Sequence, residues 1–256
     1  MALGISTACF YPEYTENALR FLGESGVKLV EIFFNAECEL SSYFIGELNK
    51  IKNEYGMKIC AVHPYSSAME PYLLFSDYDR RFNDARKLYN RMFEAAAELG
   101  ASFVTLHGDR PFGRLPVEGY CERYSYLFED AEGFGVTLNQ ENVAGFRSAE
   151  ADFLRDMAEI LKDRVAFTLD IKQCIRAGYT PLEIIAAMGK GIKHVHISDH
   201  SAAGDCLLPG RGGFDFKNFF DFMAKNGYKG DYIVEVYNNA YSDKIDVVKS
   251  LCNIYE

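Results

Sequence analysis

Eight short runs rich in β-branched and aromatic residues alternate with stretches of helical periodicity along the 256 residues of this chain. The runs predict strands at residues 4–10, 27–34, 58–64, 102–108, 136–142, 165–171, 192–198 and 232–238. The stretches at 84–100 and 216–228 have the apolar periodicity of amphipathic helices. Several such stretches are predicted to end at a glycine before the next strand, namely at Gly26, Gly56, Gly100, Gly135 and Gly230.

Strand–helix alternation of this kind predicts a parallel sheet, either closed into a (β/α)8 barrel or open and doubly wound. An open nucleotide-binding sheet is expected to carry a glycine-rich phosphate loop after its first strand. The first predicted strand here runs into YPEYTEN, and the glycine cluster PGRGGFDF at residues 209–216 follows the seventh. The α/β class with a (β/α)8 TIM barrel is therefore favoured. Because no linker or low-complexity segment interrupts the pattern, residues 1–256 are expected to form a single domain.

The net charge and the cysteines indicate which binding partners and which cellular compartment to expect. A net charge of −10 makes nucleic acid an unfavourable partner, since affinity for a phosphate backbone comes largely from Lys and Arg. No apolar run is long enough to span a bilayer, and the start MALGISTACF lacks the features of a signal peptide. The 7 cysteines are scattered and form no CxxC pair, which is typical of reduced thiols. We expect a cytoplasmic protein with no membrane contact.

Ionisable residues lie on the predicted strands, mostly close to their carboxyl ends, where a (β/α)8 barrel carries its active site. They are Glu31, His63, His107, Glu141, Asp170, His196, Asp199 and Glu235. Any one of them could belong to a structural ion pair. All are embedded in apolar sequence, where unpaired charges are costly to bury, so convergence on a cation explains the whole set better. Carboxylates and imidazoles without a thiolate suit a divalent ion such as Mn, Zn, Mg, Co or Fe.

The stretch HVHISDH brings three histidines together in the sequence, and strand geometry separates them. His194 and His196 point to the same face of the seventh strand, about 6–7 Å apart along it. Only His196 is near enough to the carboxyl end to reach a site at the barrel mouth. His194 is expected to be a hydrogen-bonded core histidine. His200 is expected in a loop, facing solvent or substrate.

With these residues in place, the chain resembles the xylose isomerase-like TIM barrel superfamily, which includes sugar isomerases, ketose 3-epimerases, inosose dehydratases and endonuclease IV. The resemblance spans essentially the whole chain. It rests on the contexts NQEN, LDI, HVHISD and VEVYN. It implies a four-ligand site for one Mn, Zn, Mg or Co ion, made by Glu141, Asp170, His196 and Glu235.

In the epimerase branch, the resemblance also implies that the two glutamates act as acid and base. A metal that binds the carbonyl and the adjacent hydroxyl of a ketose stabilises an enediolate. Glu141 could then remove the α-proton while Glu235 returns one from the other face. The function predicted is that of a divalent-metal-dependent isomerase or epimerase acting on a small sugar or keto-polyol.

Other residues leave alternatives open. His63 and His107 match the extra histidines of the endonuclease branch, so they are predicted to hold a second metal or to contact substrate. Gln173 stands where a third-metal histidine of the endonucleases and a substrate-binding histidine of the epimerases would fall. Arg211 could clamp a substrate oxygen or be a solvated loop arginine.

The sequence leaves two alternatives open, one for the role of segment 64–82 and one for the type of reaction. The aromatic-rich segment 64–82 could cover a sugar or form the interface of a homo-oligomer. An inosose dehydratase-like lyase and an endonuclease IV-like phosphodiester hydrolase are the alternative reactions, and a non-catalytic sugar-binding barrel also has to be considered.

Overall fold

In a computed structural model, which describes residues 1–202 and 204–254, the chain forms a closed barrel of parallel strands. Eight strands make the barrel, in the order β1-β10-β7-β6-β5-β4-β3-β2. They are β1 (Leu3–Ser6), β2 (Leu29–Phe33), β3 (Lys58–His63), β4 (Phe103–Leu106), β5 (Thr137–Glu141), β6 (Ala166–Asp170), β7 (Ile192–Ile197) and β10 (Tyr232–Val234). The (β/α)8 TIM barrel predicted from the alternation of strands and helices is confirmed.

Helices connect the strands. They are α1 (Thr15–Glu24), α2 (Ser42–Glu54), α3 (Glu70–Leu73), α4 (Asp79–Leu99), α5 (Val117–Gly133), α6 (Ala151–Leu161), α7 (Ile171–Ala177), α8 (Pro181–Met188), α9 (Phe216–Lys225) and α10 (Ile245–Asn253). In α4 the buried positions, among them Tyr89, Met92 and Ala96, recur at the three- and four-residue spacing of an amphipathic helix. None of the helices in the described part of the chain combines the length and the apolarity needed to cross a membrane.

Several predicted elements differ at their ends. The first strand stops at Ser6, whose hydroxyl accepts a hydrogen bond from the Ala8 amide and so begins a 3-10 turn over Thr7–Phe10. Helix α9 ends at Lys225, and the left-handed glycine behind it is Gly227, with φ of 87°, which lies within the predicted stretch 216–228. Such errors of a few residues arise because caps depend on single side chains.

The segment that follows β7 is a hairpin, where a loop was expected. Strand β8 (Asp199–Ser201) pairs antiparallel with β9 (Gly204–Leu207). The carboxylate of Asp199 accepts hydrogen bonds from the amides of Gly210, Gly212 and Phe214 at 3.0, 2.8 and 2.9 Å. Asp199 therefore shapes the glycine-rich turn behind the hairpin.

The aromatic-rich segment 64–82 contains the short helix α3 and the start of α4. Phe75 is buried and stacks on Tyr120, with ring centroids 4.1 Å apart. Tyr72 and Tyr78 remain exposed. Much of this segment is therefore structured core, and only its outer aromatic side chains are available for contacts with other molecules.

Candidate active site

Four of the predicted site residues meet at the carboxyl end of the barrel. Each of Glu141, Asp170, His196 and Glu235 offers one ligand atom, and these atoms lie within 4.8 Å of one another. The Nδ1 atom of His196 is 3.5 Å from a carboxylate oxygen of each of the other three residues. We call these four residues the carboxylate–histidine centre.

Strand register places the centre. Glu141 and Asp170 are the last residues of β5 and β6, and Asp170 lies opposite His196 in the β6–β7 pairing. Strand β10 ends one residue before Glu235, whose amide still donates to the carbonyl of Ile197 at 3.1 Å. The four side chains therefore come from adjacent strands β5, β6, β7 and β10, although they are far apart in the sequence.

A lysine that the sequence analysis did not single out lies inside this centre. The Nζ atom of Lys172 donates hydrogen bonds to Oδ2 of Asp170 and to Oε2 of Glu235. These are the same two oxygens that face Nδ1 of His196. The Lys172 side chain is only 2% exposed. Its signal in the sequence was a charged residue within LDIKQC, directly after a buried strand.

The charges of the centre shift the pKa values of its members. Burial alone would lower the pKa of Lys172, but the charges of Asp170 and Glu235 raise it well above its ordinary value. Burial would raise the pKa of Glu235, and the Lys172 charge reverses that shift and lowers it. Burial would also raise the pKa of Glu141, but the nearby imidazoles of His107, His196 and His63 hold it low. Lys172 is therefore an ammonium group at neutral pH, and both glutamates are bases.

His63 and His107, at the ends of β3 and β4, lie on the other side of Glu141. Their Nε2 atoms are 3.6 and 3.1 Å from Oε2 of Glu141 and 3.0 Å from each other. The ring of Phe33 stacks on His63 at 4.7 Å. The two histidines and Glu141 form a second group with the spacing of metal ligands, and all three line the same cavity.

Glu31 was grouped with the ionisable residues expected to converge on a cation, but it does not lie at the barrel mouth. It is fully buried one layer deeper, where its Oε2 atom is 2.8 Å from Nε2 of His194 and 3.0 Å from Nε2 of His196. His194 is buried and packs against Phe103, as expected of a core histidine. The partner that Glu31 converges on is thus a pair of imidazoles.

The remaining predicted residues are divided between the cavity and the surface. Gln173 lines the cavity, and its Oε1 atom accepts a hydrogen bond from the Ala144 amide at 3.1 Å. Arg211 does not reach the centre. It pairs with Asp246 of α10 at 3.0 Å and its side chain is 49% exposed, because the turn that follows the β8–β9 hairpin carries it to the surface. His200, in β8, packs against Phe214 and is not among the residues that line the cavity.

The centre opens into a cavity of about 350 Å³. Its walls are formed by Ala8, Tyr11, Phe33, Asn35, His63, His107, Glu141, Lys172, Gln173, Glu235, Val236 and Tyr237. Among the described residues, none from segment 64–82 lines this cavity. The aromatic walls come instead from Tyr11, Phe33 and Tyr237. Polar groups at the base of a partly apolar cavity are the usual arrangement of a small-molecule site.

A family model described as xylose isomerase-like TIM barrel matches residues 19–251. The chain belongs to this family. An uncharacterised protein of Mycobacterium tuberculosis is 27% identical over 255 residues, which cover 91% of this chain and 88% of that protein.

Two solved structures are similar along the whole chain. A D-tagatose 3-epimerase-like protein has a TM-score of 0.79 at 23% identity, covering 100% of this chain and 97% of its own. A D-psicose 3-epimerase from Clostridium cellulolyticum H10, crystallised with D-tagatose, has a TM-score of 0.79 at 17% identity, with the same coverage. At these identities the likeness shows the fold.

The resemblance implies a divalent ion in this xylose isomerase-like barrel, and the donor set by itself suits one. Three carboxylates and an imidazole are appropriate ligands, and Nδ1 of His196 is buried without a hydrogen-bond partner. Lys172 does not fit such a site, because its ammonium group binds the oxygens of two of the four ligands. Charges of +1 and +2 about 4 Å apart repel each other by roughly 8 kcal/mol at an effective dielectric constant of about 20. The intact centre is therefore unfavourable for a divalent ion.

Proposed function

We propose that this chain is an isomerase or epimerase of a small sugar or keto-polyol, and that it transfers a proton at a carbon next to a carbonyl group. The observation that carries the proposal is the placement of Glu141 and Glu235. Both are buried carboxylates that line one cavity, and their low pKa values keep them ionised at neutral pH, the state in which a carboxylate can accept a proton. The fold, shared with D-tagatose 3-epimerase-like and D-psicose 3-epimerase structures, supports a sugar as substrate.

The proposed roles follow from chemistry at the α-carbon. Glu141 takes the proton, and the C–H electron pair forms the new C=C bond while the carbonyl oxygen becomes negatively charged. Glu235 serves the opposite face: once protonated from solvent, it returns that proton to the α-carbon and so inverts the stereocentre, and Glu141 then releases its proton to solvent. His63, His107 and Gln173 line the cavity and are proposed to bind the hydroxyl groups of the substrate.

The family resemblance implies a divalent ion, Mn, Zn, Mg or Co, held by Glu141, Asp170, His196 and Glu235. Such an ion would polarise the carbonyl as a Lewis acid. That prediction conflicts with the position of Lys172, so the proposed proton transfer uses side chains alone. A second ion at His63, His107 and Glu141 also stays a prediction from the sequence.

Solvent exchange tests the proposal. Purified protein is incubated in D2O with a panel of ketoses, aldoses and keto-inositols, and NMR follows deuterium at the carbon next to the carbonyl. We expect exchange accompanied by an epimer or an aldose–ketose isomer of one panel member. Exchange accompanied by a dehydrated product would assign the lyase reaction instead. No exchange with any panel member, or cleavage of abasic-site DNA, would contradict the proposal.

A further inference from the structure

Lys172 contacts the carboxylate–histidine centre but was not predicted by the pattern of ionisable residues at strand ends. Its side chain extends from the second residue of α7 back into the barrel mouth. Asp170 caps this helix with Oδ1, which accepts a hydrogen bond from the Gln173 amide at 3.1 Å, and uses Oδ2 for the lysine. The helix cap and the ammonium contact thus fix the Asp170 carboxylate from both sides.

The ammonium group bridges two strands. It joins Asp170 at the end of β6 to Glu235 behind β10, and it lies 5.8 Å from the ring centroid of Tyr237, within range of a cation–π contact. Both oxygens that it binds are those turned towards Nδ1 of His196. Lys172 therefore already provides positive charge at the place where these ligands converge.

We propose that Lys172 is the resident cation of the centre: its ammonium group takes the place of a divalent ion and is the electrophile that faces the substrate. The role of Lys172 as electrophile rests on the proposed proton transfer. Its place in the position of a divalent ion rests only on the geometry of the centre. The protein is then a metal-independent member of its fold family.

The chemistry of an ammonium group suits this role. Lys172 has three N–H groups, of which two are donated to Asp170 and Glu235, and its side chain lines the cavity. The third can be donated to the carbonyl oxygen of the substrate. When Glu141 removes the α-proton, that oxygen gains the negative charge, and the hydrogen bond from Lys172 becomes charge-assisted on both sides. The C–H electron pair moves into the C=C bond, and no oxidant or co-reactant is needed.

Metal binding without substrate is the first test. The protein is treated with EDTA, exchanged into metal-free buffer and titrated with Mn²⁺ and Zn²⁺ by calorimetry, alongside Lys172→Met, Lys172→Met/His196→Ala and Lys193→Met. Lys193 is an exposed lysine on β7 and serves as the matched control. We expect no stoichiometric binding to wild type or Lys193→Met. Lys172→Met should bind one ion per chain, at least on the order of a hundredfold more tightly, and the double variant should lose that ion.

Three results would overturn the proposal. One is an ion bound to wild type that His196→Ala releases. Another is equal metal affinity of wild type and Lys172→Met. The third is a folded Lys172→Met that binds no ion. If Lys172→Met does not fold, the charge-retaining Lys172→Arg replaces it. An ion that His196→Ala releases from wild type or from Lys172→Arg contradicts the proposal, and the absence of such an ion from both supports it.

Activity supplies the second test and separates the two proposals. Deuterium exchange by wild type should be unchanged by EDTA and lost in Lys172→Met but kept in Lys193→Met. If no sugar on the panel exchanges, the proposed function fails, yet the metal titrations still decide whether Lys172 holds the place of an ion. Exchange that EDTA abolishes would leave the proposed function intact and overturn the role of Lys172.

Discussion

The carboxylate of Glu31 lies 3.0 Å from Nε2 of His196 and so orients the ring, turning Nδ1 towards the three carboxylates of the centre. A buried partner on the second nitrogen is the usual way to fix the tautomer and the direction of an imidazole. Glu31 also contacts His194, so one carboxylate holds two rings in the barrel interior. It is a positioning residue, since it does not line the cavity.

Glu31→Gln should therefore lower both stability and turnover. The amide removes the negative charge that both imidazoles face and buries an NH2 group at the position of Oε1, which has no hydrogen-bond partner. An unsatisfied buried donor costs about 1–3 kcal/mol. Urea unfolding measures the loss of stability, and the deuterium-exchange rate measures the effect on His196. Glu24→Gln, at an exposed position on α1, should change neither. Unaltered exchange in a destabilised Glu31→Gln would show that the carboxylate is only structural.

Glu141→Gln and Glu235→Gln should each lower turnover by about 10²–10⁴-fold, because a positioned general base contributes that much. The fold should persist, because each amide fills the same volume. The measurement is the rate of α-carbon exchange, with near-ultraviolet circular dichroism as the test of folding. Glu159→Gln, on the exposed side of α6, is the matched control. Near-normal exchange in either site variant would refute the assigned acid–base pair.

A second buried carboxylate supports the loop that follows β4. Glu70 accepts hydrogen bonds from the hydroxyl of Tyr89 and, at 2.6 Å, from the amide of Gly108. Tyr89→Phe removes one donor and leaves the carboxylate under-satisfied, so the free energy of unfolding should fall by about 1–3 kcal/mol. Chemical denaturation measures it. Tyr43→Phe, at a tyrosine that is 82% exposed, should be neutral, and an equal loss in both variants would speak against the role of Glu70.

The ion pair between Arg176 and Asp205 should make a small pH-dependent contribution. Arg176 binds Asp205 of β9 at 2.6 Å and 3.0 Å and also donates to the hydroxyl of Tyr237 at 2.8 Å. The hydrogen bond from Arg176 lowers the pKa of Asp205. The stabilisation is therefore complete above the unfolded pKa of about 3.9 and is lost as the pH falls through the lower folded pKa.

Comparison of wild type with Asp205→Asn checks this sign. Because the two side chains are 26% and 39% exposed, solvent screening keeps the difference below about 1 kcal/mol. Unfolding in urea should show a constant difference above about pH 5 that shrinks as the solution becomes more acidic. A difference that grows on acidification would contradict the assignment.

The sequence by itself determined the barrel, because the alternation of strands and helices depends on apolar periodicity within short segments. It also located Glu141, Asp170 and His196 near strand ends, since parallel strands in a closed barrel place their carboxyl ends on one side. His194 was separable from His196 because the rise of two strand residues puts it about 6–7 Å further from the barrel mouth. Each of these inferences uses only residues that are close together in the sequence.

The tertiary structure alone decided which charges meet. Lys172 and Glu235 are 63 positions apart, and nothing local to either predicts that one neutralises the other. Arg211 has a sequence context compatible with the site, yet the turn behind the β8–β9 hairpin carries it to Asp246. The physical reason is that a charge is balanced by whatever lies within a few ångströms in space, and strand register and loop path set those distances.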